Sequence, residues 1–99
     1  MSVKPVYIVG DVNIHNLENY KGYMDKVKPL VEKYGGKYLT RGGPMEAFET
    51  QLWSPTRMVL LKFPDKASAL RWMNSEEYQP VKKLRQANSS GTMVLLEGI

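Results

Sequence analysis

The sequence contains no cysteine and only one histidine among its 99 residues. Without cysteine, the chain has no disulfide framework, no thiolate nucleophile, no cysteine zinc site and no iron–sulfur cluster. The single histidine, His15, cannot form a multi-histidine metal site. No glycine-rich dinucleotide-binding loop follows a predicted strand. We therefore expect no metal site, no haem or flavin, and no other cofactor.

Long apolar segments are missing as well. No run approaches the ~20 residues that a membrane-spanning helix needs, and the first residues lack the basic-then-apolar layout of a signal peptide. A chain of this length buries one core and has nothing left for a second. The sequence therefore predicts one domain over residues 1–99, located in the cytoplasm and without membrane contact.

Acidic residues are the minority among the charges, with 10 Asp and Glu against 14 Lys and Arg, a net charge of +4. Such an excess raises the question of nucleic acid, but the basic residues are scattered, and only Lys82, Lys83 and Arg85 stand close together. No helix-turn-helix, zinc-finger or RNA-recognition pattern accompanies them. Solvated helix faces explain the charge, and nucleic acid is not an expected partner.

Apolar patterning predicts four strands, at residues 3–12, 37–41, 57–63 and 92–97, with a further short extended piece at 46–50. The first and third of these have apolar side chains at both odd and even positions. That pattern is typical of central strands covered on both faces, and we expect the two to be a parallel central pair.

The helices are marked by spacing and by caps. One apolar stripe recurs at three- and four-residue steps from Leu17 to Tyr34, with Asn16 as the N-cap, Gly35-Gly36 as the stop and Pro29 as a source of bending near residues 24–28. A second helix is predicted to begin with Asp65 as its cap, and a short third one to begin at Ser75-Glu76-Glu77, with the Ser75 hydroxyl as the cap. The expected buried residues of the first stripe are Leu17, Tyr20, Met24, Val27, Val31 and Tyr34, and those of the second helix are Ala69, Leu70 and Met73.

The resulting order, β-α-β-β-α-β, is that of ferredoxin-like α+β folds, with a four-stranded antiparallel or mixed sheet and helices on one face. The helices leave the other sheet face bare. An apolar face of that size exceeds what a soluble monomer tolerates. A second copy of the chain is the simplest cover, so the pattern predicts a homodimer.

Several linked motifs resemble, in order and spacing, the domain-of-unknown-function 1330 (DUF1330) family across essentially the whole chain. These motifs are Lys33-Tyr34-Gly35-Gly36, Arg41-Gly42-Gly43, Phe63-Pro64, Ser75-Glu76-Glu77-Tyr78 and Leu84-Arg85. The resemblance implies membership of the dimeric α/β-barrel superfamily, in which two ferredoxin-like sheets pack face to face. It implies no catalytic residues, because no reaction is established for the family.

Arg41 is the leading candidate for a ligand-binding residue. It ends a strand just before Gly42 and Gly43, where the backbone allows close approach and the guanidinium offers a two-pronged contact to a carboxylate or phosphate. The alternative is a structural arginine paired with Glu46 or Glu49. Both interpretations remain open from the sequence.

The other candidates each have a structural alternative. Arg57 and Arg85 are of the same type as Arg41, although such arginines are often surface ion-pair donors. Trp72 and Tyr78 are expected first as core residues beneath the second helix and only second as pocket residues. Tyr7 and Asp11 are further candidates that share one strand face, and the place of Asp11 near the strand end predicts its simple exposure to solvent.

Two classes of function follow. The first is a binder of a small anionic or carbonyl-bearing organic molecule, which includes a cofactor-independent enzyme. The second is a non-catalytic dimeric module with a regulatory or scaffolding role. A cavity of a few hundred Å³ with converging arginine and tyrosine side chains would favour the first class, and a closed apolar core would favour the second.

Overall fold

The computed structural model describes residues 3–99, in which three helices pack on one sheet. The strands are β1 (Val6–Ile14), β2 (Lys37–Arg41), β3 (Met58–Phe63) and β4 (Ser89–Glu97), and the helices are α1 (Leu17–Lys33), α2 (Lys66–Asn74) and α3 (Tyr78–Asn88). The sheet order is β2-β3-β1-β4. The predicted ferredoxin-like α+β class is confirmed.

The central strands run antiparallel, with Val6 opposite Phe63 and Asp11 opposite Met58. The prediction of a parallel central pair is therefore wrong. Apolar residues on both faces mark a strand as central but carry no information on its direction. Helix α1 returns the chain to the edge strand β2, and the reversal from β2 into β3 then makes β3 antiparallel to both β2 and β1.

Some boundaries also differ from those predicted. Strand β1 begins at Val6 and continues to Ile14, and β4 begins at Ser89 rather than three residues later. The extended piece predicted at 46–50 is not a strand, because residues 42–57 form an irregular and mostly exposed β2–β3 loop. That loop contains no apolar alternation that would hold it against the sheet.

Helix α1 begins and ends where its local signals predict. The Asn16 side chain accepts a hydrogen bond of 3.1 Å from the Asn19 backbone N–H, and Gly35 follows the helix with φ of 87°. The helix runs through Pro29, and the bend there stays a prediction. Its buried residues are Tyr20, Tyr23, Val27 and Val31, whereas Leu17 is 55% exposed, contrary to the prediction.

The Asp65 cap of α2 is confirmed, and Ser75 bonds the first N–H of α3 as predicted, although the residue directly before α3 is Glu77, which makes no side-chain capping bond. Asp65 accepts a 2.7 Å hydrogen bond from the Ser68 backbone N–H, and the Ser75 hydroxyl accepts one of 3.2 Å from the Tyr78 N–H. On α2, however, Leu70 is exposed and Trp72 is buried in its stead. The helix is rotated so that the larger aromatic side chain fills the core.

The core lies on one face of the sheet. Along β1 the buried positions alternate as Val6, Ile8, Gly10 and Val12, and these face the helices. The opposite face, here called the open face, carries Val94 and Leu96 of β4, each about half exposed. Over residues 3–99 no helix is long and apolar enough to cross a membrane. The cytoplasmic location stays a prediction, and its signal-peptide argument includes Met1 and Ser2, which lie outside the described residues.

Candidate functional site: an arginine-lined cavity

A small cavity lies between the sheet and the helices, above the middle of β1. Gly10 faces the helices there, and the missing side chain leaves space between Ile8 and Val12. The cavity volume is about 20 Å³, room for about one water molecule. Its polar and aromatic lining residues come from all three helices, from β2 and from the residue just before β3. They are Tyr20, Tyr23, Tyr38, Arg41, Arg57, Trp72 and Arg85.

A bulge in β2 directs two of these side chains into the cavity. Tyr38 pairs with Leu61, and Thr40 pairs with Leu60, so Leu39 is an extra residue in the ladder. Because cross-strand partners share a face, the bulge brings Tyr38 and Arg41 to the helix side although they are three residues apart. In a regular strand Arg41 would point to the open face.

Arg41 is held by the helix and by a tyrosine ring. Its guanidinium donates a 2.5 Å hydrogen bond to the Met24 carbonyl and lies 4.6 Å from the centre of the Tyr38 ring. Among residues 3–99 the ion pairs do not include Arg41, so the expected alternative partners Glu46 and Glu49 do not neutralise it. Its charge remains available to a ligand.

Arg57 approaches the same region from the start of β3. Its guanidinium lies 5.8 Å from the centre of the Tyr20 ring and donates to the Met24 sulfur at 3.6 Å. Gly42 makes room for it: the φ there is 68°, and a Cβ on Gly42 would stand 2.5 Å from the Arg57 Nε. The glycine after Arg41 thus serves the packing of a second arginine and not, as its sequence context suggested, the approach of a ligand to the backbone.

Two buried N–H donors in the cavity lining have no acceptor among the described residues. They are the Trp72 Nε1 and the Arg85 Nε. Trp72 is 1% exposed and packs between Phe63 and Tyr78, with ring centres 5.6 Å and 4.4 Å away. A buried donor without a partner costs roughly 1–3 kcal/mol, so two in one cavity call for an acceptor.

The tyrosines of the cavity keep their protons. Burial raises the pKa of Tyr38 to about 12, against the opposing effect of Arg41. Burial also raises the pKa of Tyr20, although Arg57, Arg85 and Arg41 all lower it. At neutral pH these hydroxyls are therefore neutral hydrogen-bond donors, while the guanidinium groups stay charged.

The charge balance of the cavity is one-sided. Three guanidinium groups line it, and the part of the lining that the structure describes contains no carboxylate and no imidazole. Such a site can stabilise a carboxylate, a phosphate or the oxygen of a polarised carbonyl. It offers no residue suited to act as a general base at neutral pH.

Three other predicted site residues lie elsewhere. Tyr7 and Asp11 face the open side of the sheet, since their register partners Lys62 and Met58 do so. Tyr78 is fully buried beside the cavity, and its hydroxyl lies 3.2 Å from that of Tyr23. It supports the wall rather than contacting the cavity space.

Asp11 is not simply solvated, as its position in the strand suggested. Its carboxylate accepts hydrogen bonds from the Trp53 indole at 2.8 Å and from the backbone N–H groups of Thr56 and Arg57 at 2.9 and 3.1 Å. Partial desolvation alone would raise the pKa of this carboxyl, but the three donors together lower it below its usual range. Asp11 fixes the end of the β2–β3 loop to the open face.

The lone histidine is an exposed surface group. His15 Nε2 lies 2.9 Å from the Ser90 hydroxyl, and both residues are exposed. No cluster of three or more metal-ligating side chains occurs in the described part of the chain. The absence of a metal requirement stays a prediction.

Comparison with known families accounts for nearly the whole chain. Residues 5–99 match the family described as a domain of unknown function, DUF1330. The chain belongs to the DUF1330 family. The resemblance carried by the motifs is thereby confirmed, and no curated protein matches the chain.

Solved structures similar to this DUF1330 domain share its fold at low identity. RPA0582, a protein of unknown function from Rhodopseudomonas palustris, is 18% identical with a TM-score of 0.78, over 97% of this chain and 83% of that one. SnoaB, a cofactor-independent oxygenase from Streptomyces nogalater, is 11% identical with a TM-score of 0.73, over 98% and 95%. A dimeric ferredoxin-like protein of unknown function from Jannaschia sp. CCS1 is 17% identical with a TM-score of 0.71, over 95% and 99%.

Within the DUF1330 domain, sequence reasoning missed three tyrosines and two methionines that line the cavity: Tyr20, Tyr23, Tyr38, Met24 and Met93. Tyr20 and Met24 were assigned to a core stripe. The i, i+3 pair of tyrosines on α1 was a usable signal, because both then lie on one helix face. Tyr38 could not be found in the same way, since its direction relative to Arg41 depends on the bulge.

Proposed function

We propose that this DUF1330 domain binds a small anionic or carbonyl-bearing organic molecule at the arginine-lined cavity. The observation that supports it best is the pair of buried, unpartnered N–H groups of Trp72 and Arg85. A cluster with only a packing role would be expected to pair these donors or replace Trp72 by phenylalanine, which stacks as well without a polar group.

The size of the cavity constrains the proposal. At about 20 Å³ it is far below the few hundred Å³ expected of a whole ligand pocket, although arginines and tyrosines do converge on it. The cavity therefore fits the oxygen end of a ligand, or a single water molecule. If an anion displaces that water molecule, the cavity is a ligand-binding site; if none does, it is a part of the core that holds one water molecule.

A catalytic role is the less supported form of the proposal. Cofactor-independent chemistry on a carbonyl compound requires a proton acceptor, and the described cavity lining has neither a carboxylate nor an imidazole. SnoaB is a cofactor-independent oxygenase, but a similarity of 11% identity carries the fold and not the reaction. Binding without turnover is the form that the geometry supports best.

The experiment uses the tryptophan inside the cavity as the reporter. The chain has two tryptophans, so Trp53→Phe leaves Trp72 as the sole indole. Formate, acetate and inorganic phosphate are titrated while Trp72 fluorescence is followed, and thermal shifts are recorded in parallel. We expect a saturable change with at least one carboxylate.

Arg41→Met tests the arginine directly, with Arg71→Met as the matched control on the exposed side of α2. Loss of a charged two-pronged contact costs roughly 2 kcal/mol, so Arg41→Met should weaken binding about thirtyfold. The same change removes the hydrogen bond to the Met24 carbonyl, so the free energy of unfolding should also fall, by roughly 1.5–3 kcal/mol. The control should bind as the parent does. If no anion binds, or if Arg41→Met unfolds the chain, the non-catalytic module becomes the better interpretation.

We also propose that the domain is a homodimer that buries the open face. This face holds a depression of about 410 Å³ lined by Val9, Met58, Val94 and Leu96 with Trp53 at its side. The β2–β3 loop beside it carries Phe48 and Leu52, which are 91% and 93% exposed. Apolar groups of this size, exposed together, are typical of an interface. The similar protein from Jannaschia is described as dimeric, which also supports the proposal.

A further inference from the structure

A second depression adjoins the cavity on the helix side of the sheet. It lies between α2 and strands β1 and β4, and its volume is about 310 Å³. We call it the apolar groove. Arg85 is its one charged lining residue, and the others are Ile8, Ala69, Leu70, Met73, Met93 and Leu95.

The groove and the cavity share a wall. Arg85 and Met93 line both, so Arg85 stands between a space with a largely polar lining and one whose other lining residues are apolar. The polar space takes only about one oxygen-sized group, whereas the groove is some fifteen times larger. A ligand whose oxygen contacts Arg85 has room for the rest of its atoms in the groove, which Arg85 also lines.

From this arrangement we infer that the ligand is a carboxylic acid with an apolar tail, its carboxylate at Arg85 and its tail in the apolar groove. The inference rests on the proposed anion binding and adds the ligand class. The charge complements the unneutralised guanidinium groups, and the tail complements six apolar side chains. At roughly 30 Å³ per water-sized group, the groove holds on the order of ten non-hydrogen atoms, so it has room for the seven-carbon tail of octanoate.

A chain-length series tests this inference. Acetate, butyrate, hexanoate and octanoate are titrated into the Trp53→Phe protein, with octanol and octylamine as tails without a carboxylate. Burial of a methylene group strengthens binding roughly two- to fourfold. We expect affinity to rise by that factor for each methylene up to octanoate, and octanol and octylamine to bind at least tenfold more weakly than octanoate.

Two groove variants and one control localise the tail. Leu70 is 43% exposed, so Leu70→Asn changes the groove wall with little effect on the core, and Met73→Gln is a second variant of the same wall. Each should reduce the ratio of octanoate affinity to acetate affinity at least fivefold. Leu17→Asn changes a 55% exposed leucine outside the groove and should leave the ratio as it is.

The outcomes separate the two proposals. If acetate and octanoate bind equally and both depend on Arg41, anion binding stands and the apolar tail is refuted. If octanol binds as tightly as octanoate, the groove is an unselective apolar site and the carboxylate assignment is refuted. If no carboxylate binds at all, the proposed function itself fails. Equal ratios in the Leu70 and Leu17 variants would place the tail elsewhere and overturn the inference.

Discussion

The hydroxyl groups of Tyr23 and Tyr78 lie 3.2 Å apart in the core and join α1 to α3. Burial, followed by the neighbouring Tyr78, raises the pKa of Tyr23 far above its ordinary value, so the Tyr23 hydroxyl keeps its proton at all ordinary pH values. The hydrogen bond therefore acts as a neutral link behind the cavity wall.

We expect the two substitutions Tyr23→Phe and Tyr78→Phe to be less than additive. Either one alone leaves the other hydroxyl buried without its partner, which lowers the free energy of unfolding by roughly 1–3 kcal/mol. The double variant removes both groups and should lose less than the sum of the two. Urea denaturation of the four proteins in a double-mutant cycle measures this, and strict additivity would show that the two hydroxyls do not interact.

Gly42→Ala should disturb Arg57. The new Cβ would stand 2.5 Å from the Arg57 Nε at a residue with φ of 68°, so both the side chain and the backbone must shift. A loss of roughly 1 kcal/mol or more in stability is expected, together with weaker anion binding. Gly43→Ala is the control, because its Cβ meets only the Thr40 hydroxyl at 3.3 Å and its φ is not positive. Equal melting temperatures for the two variants would contradict the role given to Gly42.

Asp11 should make stability depend on acid pH. Its pKa is lower in the folded chain than in the unfolded one, so its stabilising effect is complete above the unfolded pKa of about 4 and is lost as the pH falls through the folded value. Asp11→Asn should therefore lose stability at pH 7 and show a flatter pH dependence below pH 4. Thermal melts between pH 2 and pH 7, sampled at about one-unit steps, test this.

Amide hydrogen exchange provides the local readout for the same residue. The N–H groups of Thr56 and Arg57 donate to Asp11 and should exchange faster in Asp11→Asn. Asp25→Asn on the exposed side of α1 is the control and should leave both amides protected. Unchanged exchange in the Asp11 variant would mean that the loop is held by other contacts.

The open face should control self-association. Wild-type protein at micromolar concentration should scatter light with twice the 11.3 kDa mass of one chain. Val94→Lys places a charge on the apolar open face, where Val94 is 48% exposed, and should shift the mass towards that of one chain. Leu17→Lys, at a similarly exposed leucine of α1, should not. A wild-type mass of one chain would refute the dimer.

Local signals in the sequence were sufficient for much of the fold. Asn16, Asp65 and Ser75 were predicted as caps because a side chain that bonds an N–H three residues on depends on little beyond its own turn. The direction of β3 relative to β1 could not be predicted in this way. It depends on the path of the whole chain, and an apolar run looks the same in either direction.

The candidate site was less accessible to sequence reasoning. Arg41, Arg57 and Arg85 could each be named as a possible anion ligand, but their convergence depends on the packing of α1, α2 and α3 over the sheet. The Arg41 side chain faces the helices because of one inserted residue, Leu39. The pattern of apolar and polar residues within β2 gives no sign of this bulge. The loop partners of Asp11 lie more than forty residues along the chain, beyond the reach of any local rule.

Arg57 makes contacts on both sides of the sheet. Its backbone N–H donates to Asp11 on the open face, while its guanidinium lines the cavity on the other. A single residue thus connects the surface assigned to the second copy with the site assigned to the ligand. Any coupling between the two places would pass through Arg57, and by thermodynamic linkage a carboxylate that tightens the dimer must bind the dimer more tightly by the same factor. Ligand titrations at protein concentrations above and below the dimer dissociation constant would measure that factor, and a value of one would show that the two faces are independent.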